Sequence, residues 1–108
     1  MKHQHKELAA GRWKELTLTE QMANIGSEVS RALSWREKGN SEYCHKAAAR
    51  ALELLDLSLD CAGPYSQLKE LARLREAIVD FFYGTNEFSS SEKLWRRYFD
   101  HFNYAARK

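Results

Sequence analysis

One proline, five glycines and two cysteines in 108 residues leave little material for a turn-rich or cross-linked fold. A β-sandwich needs a turn signal roughly every 8–12 residues, and this chain does not carry them. No apolar run approaches the ~18 residues that a membrane-crossing helix requires. Neither sign of charge dominates. Seventeen Lys and Arg against fifteen Asp and Glu give a net charge of +2, too small to imply nucleic-acid binding by itself. The stretch 1–14 is basic but lacks the apolar segment of a secretory signal, so a cytoplasmic location is expected. The cysteines agree. Cys44 and Cys61 fall on one expected helix and would stand ~25 Å apart, far beyond disulfide reach.

What is present is helical periodicity. The 44% hydrophobic content is enough for a core, and it is spaced at steps of three and four. Residues 1–16 form a polar arm that Leu8, Trp13 and Leu16 can dock, with His3 and His5 as tail residues. The domain proper runs from 17 to 108 as four helices. Thr17 and Glu20 have capping-box spacing and open the first. Leu18, Met22, Ile25, Val29 and Leu33 make its buried stripe. Beside that stripe run Ala23, Gly26, Ser27, Ser30 and Ser34. A glycine inside a helix costs ~1 kcal/mol relative to alanine, so close approach of a neighbouring helix is expected there. Gly39 ends the helix.

The second helix spans about 41–62, capped by Asn40 or Ser41. Its apolar face holds Cys44, Ala47, Ala48, Ala51, Leu52, Leu54, Leu55 and Leu59. Gly63-Pro64 stops it. The third covers about 66–83 on a stripe of Leu68, Leu71, Leu74, Ile78, Phe81 and Phe82. The fourth begins near Ser89, which pairs with Glu92 as a second capping box, and turns Trp95, Tyr98, Phe99, Phe102 and Ala105 inward. Such short connections favour antiparallel neighbours, hence an all-α, up-down-up-down four-helix bundle.

Arg75 falls inside the apolar stripe of the third helix. A guanidinium cannot lose its proton to escape burial, so it must find a partner or snorkel. Glu28 is the expected partner by its depth along the first helix, with Asp56 second; an anion-binding position is the functional alternative. Two metal patterns fall short. Glu42-x-x-His45 is one motif where a di-iron bundle needs two, and Glu53-x-x-Asp56 lacks its acidic counterpart upstream. No metal and no cofactor are expected.

Arg96 and His101 form an Arg-x4-His pattern in the last helix. Here the chain resembles the HEPN family of small helical bundles, many of them metal-independent ribonucleases. That resemblance implies that Arg96 and His101 act on an RNA 2′-OH and the scissile phosphate. On an ideal helix the two lie ~140° apart, whereas Arg97, His101 and Tyr104 share one face suited to binding. The stretch 16–60, with Asn-Ile-Gly-Ser-Glu at 24–28 and Ala-Leu-Glu-Leu-Leu-Asp at 51–56, resembles a family of small bacterial proteins of unassigned function. It implies a free-standing domain and brings no activity. Trp13, Trp35, Tyr43, Leu57, Tyr65 and Tyr104 lie off the main stripes, and a homodimer would cover some of them. The reading is therefore a non-catalytic, self-associating protein–protein interaction module, with a HEPN-like ribonuclease or RNA-binding protein as the alternative.

Overall fold

A computed structural model describes residues 11–106, and the expected tail residues His3, His5 and Leu8 lie outside them. Four long helices follow one another: α1 (Leu18–Glu37), α2 (Ser41–Cys61), α3 (Tyr65–Tyr83) and α4 (Glu92–Ala106). Residues 11–13 add one helical turn ahead of α1, and no strand occurs among the described residues.

Local chemistry sets most of the boundaries. At α1 the Thr17 hydroxyl accepts from the Glu20 N–H, and the Glu20 carboxylate accepts from the Thr17 N–H, so the capping box is complete. Gly39, at φ +77°, turns the chain out of α1, and the Asn40 side chain then caps α2 by accepting from the Tyr43 N–H. The start of α4 differs from expectation. Ser89 does not cap it; Ser91 does, its hydroxyl accepting from the Leu94 N–H. The cause is the loop before it. The Asp80 carboxylate accepts from the N–H groups of Glu87 and Phe88, and Asn86 and Ser90 exchange two hydrogen bonds. These ties hold Ser89 at φ +55°, so the helix begins two residues later.

The packed pairs are α1 with α2, α1 with α4, and α2 with α3. Met22, Ile25, Leu33, Leu55, Leu71 and Ile78 are fully buried between them. Because α2 is flanked on two sides, its buried arc is wider than one stripe, and Leu57 is core rather than surface. Trp13 is core too. Its indole N–H donates to the Ser58 hydroxyl at 2.8 Å, which donates to Gln21 Oε1 at 2.8 Å, while Gln21 Nε2 donates back to the Trp13 carbonyl at 2.9 Å. This closed ring satisfies three polar groups that burial would otherwise leave stranded.

The small-residue stripe of α1 has the expected use. A Cβ built on Gly26 would come within 2.8 Å of three Phe99 side-chain atoms, so only glycine lets α4 settle at this distance. Leu68 departs in the other direction, standing exposed on α3. Both cysteines are free; Cys44 is buried and Cys61 half-buried. Burial pushes the Cys44 thiol pKa up, with Arg36 pulling weakly the other way.

Candidate functional site

α4 carries Trp95, Tyr98, Phe99 and Phe102 on the side facing α1 and α3. Phe99 seats on Gly26, Trp95 stacks on Phe99 at 6.2 Å, and Tyr98 meets Phe99 and Phe102 edge-on. α3 is anchored instead to α2. The Tyr83 hydroxyl donates to the His45 carbonyl, His45 Nε2 lies 3.2 Å from the Phe82 carbonyl, and the His45 and Tyr83 rings stack at 4.9 Å. With α4 held by α1 and α3 held by α2, the two close no comparable interface with each other.

The result is an open groove of about 560 Å³ between α3 and α4. Leu74, Ala77, Trp95 and Tyr98 form its apolar part, and Lys69 and Arg73 line its α3 side. A second hollow of about 440 Å³ continues it over α4, sharing Trp95 and Tyr98 and adding Leu94 and Arg97. Two contacts cross the groove: Phe81 against Trp95 at 6.1 Å, and the Tyr98 hydroxyl donating to the Glu70 carboxylate at 3.2 Å. Burial first, then the Glu70 charge, raise the Tyr98 pKa well above the ordinary phenol range, so Tyr98 stays a proton donor. Trp95, only 6% exposed, has a buried indole N–H without a partner among the described residues.

The other residues singled out in the sequence are distributed as follows. Arg75 pairs with Asp56, not Glu28, at 2.8 Å, and the two side chains are 40% and 38% exposed. The reason is helix adjacency: α3 packs on α2, not on α1. The hydrogen bond to Asp56 raises the already high Arg75 pKa further. Glu28 accepts from Arg31 at 2.9 Å and lies 3.5 Å from Arg50. Arg96 bonds to Glu92, Glu37 and Ser30, and lines a hollow between α1 and α4 with Asp100 and Asn103. Glu37 and Glu92 both reach the Arg96 guanidinium, and the interaction between the two carboxyl groups lowers the Glu37 pKa and raises that of Glu92. His101 does not line that hollow; it is exposed, with its ring edge-on to Phe102. Arg97 stands exposed on the groove side of α4, and Tyr104 is exposed near its end.

No group of three or more metal-binding side chains occurs among the described residues, and none of their helices is long and apolar enough to cross a membrane. Compared with known proteins, the chain matches no family model, no curated protein and no solved structure.

Proposed function

We propose that this chain is an up-down-up-down four-helix bundle that works as a non-catalytic protein–protein interaction module, and that it receives an amphipathic helix of a partner protein in the α3–α4 groove. Successive contacts support the antiparallel arrangement: 21 with 58, 28 with 50 and 35 with 43 between α1 and α2, 45 with 82 and 56 with 75 between α2 and α3, and 26 with 99 and 30 with 96 between α1 and α4, each rising in one helix as it falls in the other. The observation that carries the docking role is the groove itself. Between Lys69 and Ala77 it extends about 12 Å along α3, two helical turns, over a floor of Trp95 and Tyr98. A helix presenting apolar residues at i, i+3, i+4 and i+7 fits such a surface. The surface left for a homodimer is narrower than the sequence implied, because Trp13 and Leu57 are covered within the chain; Tyr43, Tyr65 and Tyr104 remain exposed.

A dye-labelled helical peptide of about 14 residues, with leucine at those positions and glutamine elsewhere, tests the reading by fluorescence anisotropy. Saturable binding is expected, weakened roughly tenfold or more by Ala77→Arg, which fills the groove. Equal binding to both proteins, or none, rejects it. The ribonuclease alternative gains nothing from the placement of Arg96 and His101. EDTA-resistant cleavage of single-stranded RNA, abolished by both His101→Ala and Arg96→Ala, would nevertheless install it in place of the interaction module.

A further inference from the structure

We infer that the helix received by the α3–α4 groove is acidic: its apolar stripe covers Trp95 and Tyr98, and its flanks carry Asp or Glu facing Lys69, Arg73 and Arg97. This rests on the docking role proposed above and names the chemistry of the partner.

The inference comes from where unpaired cations stand. In α1 and α2 every cation is engaged. Arg31 and Arg50 face Glu28, Lys46 faces Glu42, and Arg36 lies 4.3 Å over the Phe81 ring. In α3 and α4, Arg75 and Arg96 are engaged with carboxylates as well. Lys69, Arg73, Lys93 and Arg97 make no ion pair among the described residues, and all four are exposed. Lys69 and Arg73 line the α3 wall one turn apart; Arg97 lines the α4 side, with Lys93 one turn before it. Three of the four partnerless cations thus line the groove and its continuation, Lys69 and Arg73 from α3 and Arg97 from α4.

One carboxylate, Glu70, lines the same groove, and it accepts from the Tyr98 hydroxyl. Its charge leaves the rim positive. Rim charges of one sign select a partner of the other and speed its approach, while the apolar floor supplies the contact area. A second copy of this chain is a poor occupant. Its own rim repeats the positive charge, and beside Tyr43, the one large exposed apolar side chain α2 offers, the only adjacent acid, Glu42, is already engaged by Lys46, with Glu53 and Asp60 far along the helix.

Three peptides sharing the leucine stripe, with glutamate, glutamine or lysine on the flanks, make the test. The glutamate peptide is expected to bind roughly tenfold or more tightly than the lysine peptide, with the glutamine peptide between. The double variant Arg73→Glu, Arg97→Glu should invert that order, with circular dichroism verifying an unchanged fold. In 1 M salt, where screening acts within about 3 Å, the difference should shrink. A glutamate peptide bound no more tightly than the glutamine one overturns the acidic partner and leaves the docking role intact. Failure of all three to bind overturns both. A dimer in light scattering that Ala77→Arg dissociates would place a second copy in the groove and overturn the acidic helix.

Discussion

Gly26 and Phe99, 73 residues apart in the chain, are in contact so close that no other residue type fits at position 26: a Cβ there would lie 2.8 Å from Phe99 Cβ, Cγ and Cδ1. Gly26→Ala therefore sets two effects against each other. Alanine is the better helix former by ~1 kcal/mol. Overpacking against a buried ring costs about 1–3 kcal/mol, and the ring is wedged between Trp95 and Tyr98. A net loss of stability is expected in urea titrations, and Phe99→Leu should relieve part of it in a double-mutant cycle.

Arg75 and Asp56 form a short ion pair at a solvent-facing edge, so Arg75→Ala should cost less than about 1 kcal/mol. A loss of several kcal/mol in chemical denaturation would mean that the pair is desolvated in solution. A cycle with Glu28 should give zero coupling, since Glu28 is engaged by Arg31 and Arg50.

Tyr98 gives the fold an alkaline weakness. Its pKa is raised in the folded state, so folding is favoured by the protonated phenol. That contribution is complete below the unfolded value near pH 10 and is lost as pH climbs toward the folded one. Stability should fall from about pH 10 upward, and Tyr98→Phe should shallow the decline. Tyr83, also raised by burial, keeps part of it. Thermal melts at stepped pH would read the difference; an identical decline in the variant would exclude Tyr98 as its source.

Ser58→Ala should be costlier than its surface counterparts. It leaves the Trp13 N–H and Gln21 Oε1 without their partner in a buried site, at about 1–3 kcal/mol for each group left unsatisfied. Ser27→Ala, which removes one exposed bond to the Ala23 carbonyl, is the control and should be near neutral. Equal effects in the two variants would show that the ring carries no stability.

The four helices were readable because caps and apolar spacing are local. Thr17 with Glu20, Asn40 and Gly39 each act within a few residues of themselves. Ser58 and Gln21 were readable in principle. Ser58 continues the spacing of Cys44, Ala48, Ala51 and Leu55, and Gln21 lies beside Met22, but polar identity masked both. That Arg75 needs a carboxylate was readable, but Glu28 was ranked ahead of Asp56 because a helical wheel gives an angle without saying which neighbour packs there. Ser89 was misread because Asp80, nine residues earlier, reaches forward to hold the loop. The groove was not readable at all. It follows from α4 packing on α1 rather than on α3, a close approach that Gly26 permits to Phe99 across most of the chain.

The same packing orders the way the chain assembles. α1 with α2, and α2 with α3, join neighbours in sequence and close short loops. α4 reaches its seat only by closing a loop from Phe99 back to Gly26. Loop closure of that length is the costliest of the set, so α4 is expected to dock after the other three have formed. Phe99 variants should then alter unfolding rates far more than refolding rates, whereas Ala48 variants should alter refolding. On that order the recess between α3 and α4 is the youngest feature of the molecule each time it folds, and a destabilised chain is expected to lose it before it loses its helices.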